Sequence, residues 1–135
     1  MNDPHATTID AANNRLLARG ELDAVDDFFT ADYVAHGTDR DLRGRAGVRR
    51  YLGMLREAFP ALEVEVEVLA ACGDRISWQR TLRGVQDGPF MGFPATHGSV
   101  VWRDMVTSRF RDGFIAEEWV VTDLAEHLLL ARKKA

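Results

Sequence analysis

Apolar residues recur at helical spacing over the first part of the chain and at alternate positions over much of the rest. Ile9, Ala12 and Leu16 stand three or four residues apart, with Thr7 or Thr8 placed to cap the helix they predict and Gly20 placed to stop it. "ELDAVDDFFT" (21–30) predicts a short second helix with Leu22, Val25 and Phe29 inward and acids in its first turn, where they suit the helix dipole. "DYVAHG" follows as a short extended piece. A third helix is predicted from about residue 46 to 59, with Val48, Tyr51, Leu52, Leu55 and Phe59 on one stripe and Pro60 at its end.

After Pro60 the period changes from helical to two. In "ALEVEVEVLAACG", Leu62, Val64, Val66 and Val68 oppose Glu63, Glu65 and Glu67, which predicts a strand with one buried and one wet face. "DRISWQRTLRG" makes a second strand and "SVVWRDMVTSRF" a third. The turn "RDG" leads into a fourth, "FIAEEWVVTD", and "LAEHLLLARKK" closes the chain as a helix. Three helices followed by an antiparallel meander indicate an α+β fold of one domain over residues 1–135, with a curved sheet wrapped around the N-terminal helices as a cone-shaped barrel. Such a cone supplies an apolar small-molecule pocket with a few convergent polar groups.

Composition narrows the partners. Hydrophobic content of 46% and charged content of 28% are those of an ordinary globular protein, and the net charge of -4 argues against nucleic acid. The basic runs "LRGRAGVRR" and "ARKKA" read as a solvated helix face and a frayed end. Cys72 is the single cysteine, so neither an internal disulfide nor a thiolate metal cluster is expected. The N-terminus lacks the pattern of a signal peptide and no stretch has the length of a membrane span, so the expected location is cytoplasmic.

The candidate chemistry centres on Asp123. Read at period two, Ile115, Glu117, Trp119, Val121 and Asp123 share a face of the last strand, and Glu118 and Thr122 share the other. An aspartate in line with Trp119 and Val121 is either a desolvated base in a pocket or the cap of the closing helix. His36 in "YVAHG" and His97 in "FPATHGS" are candidates to orient a carbonyl or relay a proton; His5 and His127 are given no role. Phe90, Met91 and Phe93, in a loop rich in glycine and proline, read as a hydrophobic lid or as packing under that loop. Trp78 and Arg80 share one strand face, as do Trp102 and Asp104. Tryptophan on the outer face of a curved sheet would favour dimerisation. No motif for a metal, a dinucleotide, a phosphate cradle or a nucleophile elbow is present.

The joint order of "YVAHG", "RGRAGVRRYLGMLREAFPALEVEVE", "DRISWQRTLRG", "GPFMGFPATHG" and "RFRDGFIAEEWVVTD" resembles the SnoaL-like polyketide cyclase family of the nuclear transport factor 2-like superfamily. The resemblance covers nearly the whole chain. It implies a cone-shaped α+β barrel, commonly a homodimer or higher oligomer, that works without metal or cofactor on hydrophobic aromatic polyketides of the kind met in antibiotic biosynthesis. It also implies that Asp123, four residues after Trp119, is the acid–base residue, with His36 and His97 beside it. Trp119, Trp78, Arg80, Phe90, Phe93 and Tyr51 are the expected substrate contacts. The reaction expected is an aldol-type cyclisation in which Asp123 removes a proton from carbon between two carbonyls. Three alternatives stand beside it: a cofactor-independent hydroxylation by the same carbanion, epoxide hydrolysis by a set such as Arg80, Asp104 and Asp123, and ligand binding without catalysis.

Overall fold

A computed structural model describes residues 3–37 and 40–134. The first helix, α1 (Pro4–Ala12), begins earlier than its apolar spacing indicates. Asp3, not a threonine, is the N-cap: its carboxylate accepts from the His5 amide at 2.8 Å, and Pro4 follows at a position where a missing N–H does no harm. Thr7 and Thr8 instead turn their hydroxyls back onto the Asp3 and Pro4 carbonyls. Beyond Ala12 the helix widens into a π-helical segment, Asn13–Ala18, and ends at Gly20 in the left-handed region (φ 69°). Arg56 donates through Nη1 to the Leu17 and Ala18 carbonyls, satisfying acceptors that the helix end leaves free.

The second helix is shorter than predicted. A 3-10 turn (Leu22–Ala24) and one turn of α2 (Val25–Phe28) give way to strand β1 (Phe29–His36), so Phe29 is the first residue of a strand and not the last inward residue of a helix. A short strand that the sequence pattern did not reveal, β2 (Asp41–Arg43), pairs antiparallel with β1 and leads into α3 (Gly44–Ala58). Val48, Leu52, Leu55 and Ala58 form the buried stripe of α3, and Phe59 just beyond it packs on Trp102 with ring centroids 4.8 Å apart.

Strands β3 (Glu63–Cys72), β4 (Arg75–Val85), β5 (Ser99–Arg111) and β6 (Phe114–Thr122) form the expected meander, and α4 (Leu124–Lys134) closes the chain. The sheet order is β2-β1-β6-β5-β4-β3, and β1 lies parallel to β6, so the sheet is mixed where an antiparallel one was expected. The N-terminal extended piece inserts beside the last strand, which only a long connection permits. The architecture is α+β, with a curved sheet wrapping the helices as a cone. On β3 the predicted alternation of faces holds, but Val64 and Val66 are half-buried and Val68 is 40% exposed. As an edge strand, β3 has a covering neighbour on one side only.

One irregularity decides what faces inward. Arg109 pairs with Glu117, and its neighbour Phe110 pairs with Ile115, which leaves Ala116 as an extra residue in β6. Ile115 and Ala116 are both buried, and the side-chain parity inverts after them. Glu118, Val120 and Thr122 therefore turn toward the hollow of the cone, while Glu117, Trp119 and Val121 turn away from it.

Candidate active site

The hollow is a cavity of about 1260 Å³ between the inner face of the sheet, the first helix and α3. Its walls are mostly apolar, with contributions from Ile9, Leu16, Phe29, Val48, Trp78 and Phe90. A polar cluster interrupts them: Arg80 on β4, Asp104 on β5, Glu118 on β6, Tyr33 on β1, Asn13 on the π-helical segment and Tyr51 on α3.

Arg80 and Asp104 are direct partners across β4 and β5, and both point inward because each stands an even number of residues from a buried tryptophan on its strand. Arg80 Nε donates to Asp104 Oδ2 at 2.8 Å, and Arg80 Nη1 donates to Asn13 Oδ1 at 2.9 Å. Asn13 is held in turn by its own Nδ2, which donates to the Ile9 carbonyl at 2.9 Å. Burial opposes the charge on Arg80, but the Asp104 charge and hydrogen bond, helped by Glu118, outweigh it and raise the guanidinium pKa. Asp104 is 6% exposed, and its second oxygen, Oδ1, has no hydrogen-bond donor among the described residues. A buried carboxylate oxygen without a partner is uncommon in a folded protein, and at the wall of a cavity it is a ready proton acceptor.

Glu118 has the opposite situation. Tyr33 Oη donates to its Oε1 at 2.5 Å, Ser108 donates to its Oε2, and the Ser108 oxygen accepts from Trp78 Nε1 at 2.9 Å. Burial raises the pKa of Glu118, and the hydrogen bonds from Ser108 and Tyr33 only partly offset it. Burial and the Asp104 charge push the Tyr51 hydroxyl up to about 12, while burial and then the Glu118 charge lift Tyr33 well above the ordinary tyrosine value.

The structure brings Trp78, Arg80, Tyr51 and Phe90 of the sequence-derived set to the cavity wall. Phe93 pairs with Phe90 through a backbone bridge and packs on the core without lining the cavity. Asp123 is elsewhere, which corrects the face assigned to it: the bulge at Ala116 puts it on the outer side, where Oδ1 accepts from the Arg103 amide at 2.7 Å and Oδ2 meets His127 Nε2 at 3.1 Å. His36 also points outward. Its Nε2 lies 2.7 Å from Glu117 Oε2, and its ring stacks on Trp119, which carries the Arg75 guanidinium 4.9 Å from its ring centre. Trp119 is thus an outer-face residue. His97 sits in the left-handed region (φ 58°), exposed, with Asp87 at 3.4 Å, and does not reach the cavity. Strand parity without the bulge concealed Glu118, and Tyr33 and Asn13 carried no signal of their own. Two adjacent glutamates after the adjacent apolar pair Ile115 and Ala116 were the available hint.

Among the described residues, no group of three His, Cys, Asp or Glu side chains is placed to hold a metal ion, and no helix is long and apolar enough to cross a membrane.

Residues 7–129 match the family described as SnoaL-like polyketide cyclase. The chain belongs to that family. A SnoaL-like polyketide cyclase candidate from Jannaschia sp. CCS1 is 27% identical and superposes with a TM-score of 0.82, covering 98% of this chain and 93% of that one. IdmH of Streptomyces antibioticus, described as a candidate polyketide cyclase, is 25% identical with a TM-score of 0.79 over 99% of this chain and all (100%) of the other. AclR of Streptomyces galilaeus, described as a candidate hydroxylase, is 26% identical with a TM-score of 0.78 over 97% and 94% of the two chains. No curated protein matches the sequence. The likeness to these SnoaL-like structures places the α+β cone in the nuclear transport factor 2-like fold.

Proposed function

We propose that this SnoaL-like protein is an acid–base enzyme that closes a ring in an aromatic polyketide-like substrate, with Asp104 as the base. The observation that carries this reading is the unpartnered Oδ1 of Asp104, buried at the wall of a large apolar cavity while Arg80 holds Oδ2. At about 1260 Å³ the cavity exceeds the roughly 300–1,000 Å³ of common small-molecule pockets, which suits a fused-ring aromatic substrate. Asp104 Oδ1 takes a proton from a carbon flanked by two carbonyls. The enolate carbon then bonds to an internal carbonyl carbon, whose π electrons move to oxygen as an alkoxide. Arg80 stays protonated throughout and fixes the carboxylate, and the apolar wall at Trp78 and Phe90 keeps water from the carbanion.

The test is turnover of a polyphenolic β-keto ester by two variants. Asp104→Asn is expected to lower ring closure by about 100- to 10,000-fold with the fold retained. Asp123→Asn is expected to leave turnover within about threefold of the parent, since its carboxylate serves the Arg103 amide and His127. Wild-type turnover by the Asp104 variant would remove it from the mechanism, and saturable binding of the ester with no product would favour a ligand-binding protein.

The likeness to AclR supports a second reading, hydroxylation by the same carbanion reacting with oxygen. An anaerobic assay separates the two, because cyclisation consumes no oxygen. Pairing through the outer face of the sheet as a homodimer belongs to the same proposal. Met105 (46% exposed) and Val121 (68% exposed) are cross-strand neighbours there, beside the Trp119–His36 stack.

A further inference from the structure

A line of hydrogen bonds crosses four neighbouring strands along the cavity wall, from Trp78 on β4 through Ser108 on β5 and Glu118 on β6 to Tyr33 on β1. Its direction is fixed at one end. The indole N–H can only donate, so Ser108 Oγ accepts from Trp78 and its single hydrogen is free for Glu118 Oε2. Oε2 is therefore an acceptor, and a proton carried by Glu118 resides on Oε1, which faces Tyr33 Oη at 2.5 Å. With Glu118 ionised, the Tyr33 hydroxyl spends its hydrogen on the carboxylate. With Glu118 protonated, the same contact reverses, and the Tyr33 hydrogen turns to the cavity that both residues line.

We propose that Tyr33 is the proton donor of this site and Glu118 the carboxyl that recharges it, so that the cavity holds an acid and a base on separate groups. The proposal rests on the ring-closure reading for its substrate. As the alkoxide forms, Tyr33 Oη gives it a proton and takes one from Glu118 Oε1. The step ends with a neutral ring alcohol, a neutral tyrosine, an ionised Glu118 and a protonated Asp104. After product leaves, the proton on Asp104 returns to Glu118 and the cycle is complete with no net proton gained or lost. Two observations support the division of labour. Both Glu118 oxygens are occupied while Asp104 keeps one free, so Asp104 is the group open to a C–H bond. Arg80 bonds directly to only one of the two buried carboxylates, Asp104, and burial raises the pKa of Glu118 more than its hydrogen bonds and the more distant Arg80 charge lower it.

The experiment separates the two half-reactions with the same polyphenolic β-keto ester in D2O. Deuterium entry at the carbon between the carbonyls reports the base, and product formation reports ring closure. Tyr33→Phe and Glu118→Gln are expected to keep enzyme-dependent exchange within about threefold and to lose ring closure by about 100-fold. Glu118→Gln retains a partner for Tyr33 but has no proton to pass, so it decides the matter should Tyr33→Phe fail to fold. Parent-level ring closure in Glu118→Gln, or equal loss of exchange and closure, overturns the proposal. Undiminished exchange in Asp104→Asn would instead overturn the base assignment and leave the donor result to be read on its own.

Discussion

Asp104 and Asp123 carry the same functional group and differ in what meets it. Asp123 gives one oxygen to a backbone amide and the other to His127, and its removal is a matter of strand and helix docking. Asp104 gives one oxygen to Arg80 and keeps the other without a partner among the described residues, at the wall of the cavity. His36 shows how a residue expected in the pocket acquires a different role. Its hydrogen bond to Glu117 is the largest influence on its pKa and raises it above 6.5, with Asp41 contributing and Arg109 and Trp119 completing its surroundings. A histidine whose folded pKa is raised adds stability that is fully present below the unfolded value and is lost as pH rises through the folded one. The expected outcome is a urea midpoint that falls more in the parent than in His36→Gln as pH is raised above the ordinary histidine value, measured by fluorescence.

At the scale of elements, the first helix and α3 are locked by Arg56, whose guanidinium lies over Gly20 while bonding the Leu17 and Ala18 carbonyls. A Cβ at Gly20 would stand 2.8 Å from Arg56 Nε and Nη2, on a backbone in the left-handed region. Gly20→Ala is expected to destabilise the protein by about 1–2 kcal/mol from backbone conformation alone, with more from displacement of Arg56, read from thermal or urea unfolding. Much of this layer was legible in the sequence. The stripe of α3, the four strands of the meander and the face shared by Trp78 and Arg80 follow from periodicity, because regular elements repeat their neighbours. What escaped was irregular or non-local. One residue, Ala116, inverts the last strand and exchanges Glu118 for Asp123 at the cavity; a bulge obeys no period. β2 is three residues long, too short to show alternation, and Asn13 is aimed by a widened helical turn.

Across the whole molecule, the sheet turns one face to the cavity and the other outward, the face through which the proposed homodimer would pair. Val121, opposite Met105, shares that outer face with Arg103, Arg109 and Glu117. Light scattering is expected to give twice the chain mass for the parent and the single mass for Val121→Glu, with the monomeric variant still folded, because the side chain is 68% exposed in the single chain. The pairing of β1 with β6 has a further consequence, for how the chain is made. Phe29–His36 leaves the ribosome early, yet its parallel neighbour, from Ile115 to Trp119, is synthesised some eighty residues later, and Tyr33 meets Glu118 across a sequence separation of 85. Until then β1 has one edge open along its length and the other covered by β2 only from Val34 to His36, and an open strand edge is prone to wrong pairing. The wall of the hollow that β1 and β6 build together thus closes only after β6 has been made.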